Sequence, residues 1–287
     1  MQTKKENVMI SAWMFIATIF SICICFVLPL GYLFAVERKR TNVLRPYWMG
    51  ALGFFVAEMM LLLPFLNVLR NQGSWYADLA GNNIWAYAFF LAVLTAIFEN
   101  AIRFVVIKFL LKDRNRWIDA VSMGVGQGLI AGLMTGVTLV GMLFYYISIN
   151  NGVLGELTGL EGEALAELEA EILRLSSLDL VFLGVEQLCA ICMQIGYCVI
   201  MYQCVKGNKW ALLPAVVVWQ MVPNVLATVL TPADGGTNYV LIGAYVLLAA
   251  ASILYVWRVK DSSVWRSNGQ EKTGGKSMKE IMQQMPK

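Results

Sequence analysis

Seven stretches of this chain are too long and too apolar to lie anywhere but in a bilayer. Uncharged or nearly uncharged segments run at about 8–36, 47–69, 84–111, 119–148, 179–205, 211–231 and 239–258. Each reaches the ~20 residues that a helix needs to cross a ~30 Å hydrocarbon core. Lipid offers no hydrogen bonds, so a span must satisfy its backbone internally, and spans of this length do so as helices. The expected architecture is therefore all-α: a polytopic bundle of seven transmembrane helices in a single membrane domain, residues 1–258. The first span is too long for the apolar core of a signal peptide and lacks a small-residue cleavage site before Glu37, so it is read as retained. Pro29 near its end marks a kink. A chain that is 59% apolar and 14% charged has the lipid bilayer as its main partner, and no nucleic-acid partner is expected.

The cations assign an orientation. The connections 37–46, 108–118 and 206–210, with the tail after 257, hold 17 of the 22 Lys and Arg residues. By the positive-inside rule this edge faces the cytoplasm, which puts the N-terminus outside and the C-terminus inside. Lys4 and Lys5 run against the rule, but two charges on a short tail do not outweigh the loops. The polar, basic tail 259–287 is expected to be disordered or to lie on the inner leaflet. The outer connection carries Leu165, Leu168, Ile172 and Leu175 at helical spacing opposite Glu163, Glu167 and Glu171. This predicts an acidic amphipathic helix over about 153–177, a lid over the mouth of the bundle rather than a binder of anionic headgroups.

Six cysteines lie in the first and fifth spans. "CAIC" (189–192) has the spelling of a redox motif, but with apolar flanks and no histidine in the chain these residues read as small apolar filler, Cys192 included.

Charged and amide side chains within a span are costly and mark function. The set is Glu58, Glu99, Arg103, Glu186, Gln127, Gln194, Gln220 and Asn224. Counted at ~1.5 Å per residue from the basic edge, Glu58, Glu99, Gln127, Gln194 and Gln220 fall in one layer about 16–20 Å deep, close to mid-membrane. Five polar groups at one depth on five helices are expected to converge on one internal site. Glu99 and Arg103 are four apart with the acid first and pair on one helix face. Glu186 and Gln187 lie higher. Gly124, Gly128, Gly132 and Gly136 recur at intervals of four, a bare stripe that brings a neighbouring helix close and presses Gln127 into the layer.

"FENAIRF" (98–104), "GVGQGLIAG" (124–132), "GVEQLCAICMQIG" (184–196) and "WQMVPN" (219–224) resemble, in order and spacing, the YhfC family of bacterial intramembrane peptidases, a relative of the CAAX-processing and PrsW-type membrane proteases. The resemblance implies a multi-pass bacterial plasma-membrane protein with a carboxylate and imidazole cluster that activates water, through a metal or by a glutamate mechanism. Glu99, Arg103 and Glu186 match the family's pattern. Asn100 stands for a second Glu, Ala131 for another, Gln187 for an Arg, Gln127, Gln194 and Gln220 for His, and Asn224 for Asp. Gln does not titrate near neutrality and is a feeble metal ligand, so no metal and no other cofactor is expected. The expected function is a pseudo-protease that holds a membrane protein, peptide, helix or lipid chain without cutting it. The alternatives are an active glutamate-type protease that uses Glu99 and Arg103 as its catalytic pair, and a transporter of a small amphiphile.

Overall fold

The computed structural model describes residues 10–39, 41–71, 74–232 and 236–266. Its architecture is all-helical, with seven helices long and apolar enough to span a membrane among the described residues: Ala12–Glu37, Leu44–Asn71, Ile84–Leu110, Leu133–Asn150, Ser177–Lys206, Trp210–Leu230 and Tyr239–Arg258. They are called the first to seventh spans. The lipid-facing sides carry exposed apolar side chains such as Trp13, Phe34, Phe89, Val218 and Leu247, as expected of a surface whose solvent is hydrocarbon.

The segment 119–148, expected as one span, is instead two helices. A central helix, Trp117–Ala131, is followed by the fourth span, and the interruption falls at Gly132, whose ψ of -7° departs from helical geometry. The two halves have different neighbours. The central helix packs between the second and fifth spans, while the fourth packs on the first. All residues from Asp119 to Leu129 are buried, so this helix is enclosed by protein rather than facing lipid.

Close approach on two sides of the central helix explains its glycines. A Cβ on Gly126 would lie 2.0 Å from the Tyr47 carbonyl oxygen, and one on Gly50 would lie 2.1 Å from that of Met123, so the second span and the central helix touch backbone to backbone. On the other side, a Cβ on Gly124 would sit 2.4 Å from Ile195 Cα, and one on Gly128 would sit 2.8 Å from Ile191 Cγ1. The stripe of glycines does not continue against one partner backbone, however. Gly132 meets the Gln187 side chain and Gly136 meets the Phe26 ring. The sequence spacing is right, but the interruption at Gly132 redirects the second half of the stripe.

Three spans contain π-helical stretches, Cys23–Val27, Val56–Leu62 and Val106–Leu110. The first two run into Pro29 and Pro64, whose missing N–H groups remove a rung of the ladder and favour a widened turn.

The acidic connection between the fourth and fifth spans forms two short helices, Leu154–Thr158 and Gly162–Ile172, rather than one over 153–177. Gly159, at φ 68°, ends the first in the left-handed region. Ile172 is buried, and Leu165, Leu168 and Leu175 pack against the buried cluster that contains Leu139, Tyr146, Ile172 and Leu180. At the basic edge Lys206 Nζ donates to the carbonyls of Leu111 (3.0 Å) and Lys112 (2.9 Å), tying the fifth span to the end of the third. The tail begins as structure rather than as loose chain. Ser263–Arg266 is one helical turn, Val264 and Trp265 are buried, and Val264 lies over Gly207. The expectation for the rest of the tail concerns 267–287, outside the described residues.

Candidate functional site

Arg103 is the centre of the molecule's polar interior. Its side chain has no exposed surface, and it enters from the third span into a space bounded by the central helix and the fifth and sixth spans. A guanidinium offers five N–H donors and no acceptor. Nε donates to Gln127 Oε1 at 2.9 Å. Nη1 donates to Gln220 Oε1 at 2.7 Å and Asn100 Oδ1 at 3.1 Å. Nη2 donates to Gln194 Oε1 at 2.6 Å and to Glu99 Oε2, its ion-pair partner. Five side-chain oxygens from four helices match the five donors.

The acceptors are themselves tied down. Asn100 Nδ2 donates to Gln220 Oε1 (2.8 Å) and to the Ala96 carbonyl one turn back (2.8 Å). Gln194 Nε2 reaches Glu99 Oε2 at 3.5 Å, and Cys198 Sγ contacts Gln127 Oε1 at 3.1 Å. The Tyr197 ring lies 5.4 Å from the guanidinium carbon, in cation–π range. Glu58, on the π-helical stretch of the second span, brings its carboxyl against that of Glu99.

Magnitudes explain why the arrangement needs so many partners. An Arg at mid-membrane costs about 2.5–3.5 kcal/mol on insertion scales. An interhelical hydrogen bond between polar side chains in lipid contributes about 0.6–2 kcal/mol. One or two bonds would leave the guanidinium a net burden, whereas five bonds and an opposite charge offset it. The cluster therefore also fixes how the third, fifth and sixth spans and the central helix meet.

Glu58, Glu99, Gln127, Gln194 and Gln220, the five groups placed at one depth by counting, are thus brought together, with Asn100 and Arg103 among them. The remaining candidates stand apart. Gln187 donates from Nε2 to the Gly128 carbonyl at 3.0 Å and serves the helix contact. Glu186 lies near Cys189 and Tyr245, away from Arg103. Asn224 is half-buried one turn beyond Gln220, and its backbone carbonyl accepts from Thr228 Oγ1 at 2.9 Å. Sequence reasoning missed Tyr197 and Cys198. Both sit within a turn of Gln194 on the same span, and an apolar reading of cysteine hides a thiol that touches an amide oxygen.

Around this centre three buried polar atoms have no hydrogen-bond partner among the described residues: Gln220 Nε2, Tyr197 Oη and Glu58 Oε1.

A metal fits this donor set poorly. Catalytic zinc takes three protein ligands from His, Cys, Asp or Glu. The chain has no histidine, and among the described residues no group of three such side chains is placed to hold an ion. The Oε1 atoms of Gln127, Gln220 and Gln194 each accept from an Arg103 N–H group.

Comparison with known proteins agrees with the motifs. The family model described as YhfC intramembrane metalloprotease matches residues 24–246. Over 189 residues the chain is 28% identical to the uncharacterized membrane protein YhfC of Bacillus subtilis strain 168, an alignment covering 65% of this chain and 73% of that protein. No solved structure matches significantly.

Proposed function

This chain belongs to the YhfC intramembrane metalloprotease family, and we propose that it is a member whose centre no longer cuts: a pseudo-protease in which the Arg103 guanidinium is the resident cation. The observation that carries this reading is the donation of all five guanidinium N–H groups to Gln127, Gln220, Asn100, Gln194 and Glu99. Imidazoles and carboxylates would bind a metal through lone pairs. Amide carbonyls at the same places bind a guanidinium equally well, and they do so without any titration near neutrality.

What remains is a scaffold for holding a hydrophobic ligand within the membrane, a peptide, a helix or a lipid chain. The free donors Gln220 Nε2 and Tyr197 Oη and the acceptor Glu58 Oε1 support polar contact with such a ligand.

A second reading has one observation in its favour. The Glu58 carboxyl beside Glu99 supplies the paired acids that general acid–base hydrolysis uses. Against it, Glu99 Oε2 is already engaged by Arg103 and Gln194. The deciding experiment reconstitutes the full chain in bilayers with a library of single-span membrane peptides and looks for cleavage products by mass spectrometry. The pseudo-protease reading expects no products. Cleavage that disappears in Glu99→Gln overturns it in favour of the glutamate mechanism.

A further inference from the structure

A lateral groove of about 390 Å³ opens to the membrane between the third and sixth spans. Ile97, Asn100 and Ala101 line one side and Val217 the other, and Phe104 and Trp210 stand toward the basic edge. Asn100 belongs both to the groove and to the Arg103 centre, and Ala96 lines the groove one turn further from the basic edge, so the groove runs past the polar cluster.

The dimensions decide what fits. On the third span the lining runs from Ala96 to Phe104, eight residues and so about 12 Å at ~1.5 Å per residue. That is close to the ~15 Å depth of one leaflet's hydrocarbon. A single helical turn, ~10 Å across and 5.4 Å high, would alone fill roughly 420 Å³. Spread over 12 Å, the groove is a slot for one extended chain and not a seat for a helix.

Its inner end suits the place where an acyl chain ends. Ala96 and Ile97 line it, and Asn100, part-way along, spends its Nδ2 on Ala96 and Gln220 and its Oδ1 on Arg103, so it asks nothing polar of an occupant. The mouth suits a headgroup. Lys108 Nζ stands 4.9 Å from the centroid of the Phe104 ring, and Phe104 packs on Trp210 at 6.0 Å. Lys209, exposed, immediately precedes Trp210. Aromatic rings with cations at the membrane edge are the usual partners of anionic headgroups.

We propose that this groove is a binding site for an anionic phospholipid, with its headgroup at Lys108 and Lys209 and one acyl chain lying along the third and sixth spans past Asn100 to Ala96. The inference names a lipid ligand for the ligand-holding scaffold and rests on that reading only in part. Metal content and peptide cleavage test the scaffold's chemistry, and lipid retention tests the groove.

The experiment is native mass spectrometry of the full chain in detergent, titrated with phosphatidylglycerol or with phosphatidylcholine of identical acyl chains. Phosphatidylglycerol is expected to be held more tightly, by roughly fivefold per lysine. Lys108→Gln should remove about one such factor. Ala101→Phe fills the slot and leaves every charge in place, so it should abolish the tight phosphatidylglycerol adduct. Should Ala101→Phe fail to fold, acyl-brominated phosphatidylglycerol supplies a second readout on the wild-type chain. It should quench the emission component lost in Trp210→Phe, and the matched phosphatidylcholine should not. Equal retention of the two lipids, an Ala101→Phe protein that binds like wild type, or equal quenching by both brominated lipids overturns the proposal.

Discussion

Arg103 and Gln127, on different helices and 24 positions apart in sequence, meet through a 2.9 Å bond from the guanidinium Nε to the amide Oε1 in the fully buried interior of the bundle. The bond fixes the roles of both residues. The amide is an acceptor for a buried cation.

Removing that amide should cost more than its size implies. In Gln127→Leu one guanidinium N–H loses its acceptor in a medium that offers no substitute, a penalty of about 1–3 kcal/mol. Asn224→Ala, half-buried and outside the Arg103 shell, should change stability by less than about 0.5 kcal/mol. Thermal unfolding of the two variants in the same detergent checks the contrast. Equal losses would place Asn224 inside the centre.

The backbone contact between the second span and the central helix predicts another asymmetry. A methyl at Gly126 must displace the Tyr47 carbonyl, 2.0 Å from its position, and neither backbone is free to yield. Gly126→Ala should therefore lose at least the ~1–3 kcal/mol typical of overpacking. Gly141 in the fourth span has nothing within 4 Å of the same methyl. Gly141→Ala should be neutral or stabilising by about 0.5–1 kcal/mol, the ordinary helix preference of Ala over Gly. Unfolding temperature and expression level separate the two.

The seven spans and the polar layer were legible in the sequence because both follow from helix rise against bilayer thickness, and the Glu99–Arg103 pair because residues four apart share a helix face. The interruption at Gly132 was not. Hydropathy runs unbroken from 119 to 148, and the change of partner that splits the central helix from the fourth span is a tertiary fact. Gly50 and Gly126 escaped for a related reason. Their spacing forms no motif within one helix, and their meaning lies in the pairing of two. Asn224 was grouped with Gln220 from the family pattern, yet one further helical turn takes it out of the guanidinium's reach. Tyr197 and Cys198 were passed over because their residue types are at home in an apolar core.

We propose the orientation that the positive-inside rule favours for this charge distribution. With the basic connections inside, a fluorescent protein fused after Lys287 should fluoresce, and an alkaline phosphatase fused at the same place should be inactive. The opposite pair of results would invert the chain and move the lipid groove's mouth to the outer leaflet.

The central claim is that a guanidinium, and not a metal ion, is the cation of this centre. Its most direct test is the metal content of the full chain, purified from membranes without chelator and measured by inductively coupled plasma mass spectrometry, beside Glu99→Gln. The account predicts zinc, iron, cobalt and manganese far below equimolar in both proteins. An equimolar metal in the wild type that disappears in Glu99→Gln would contradict it.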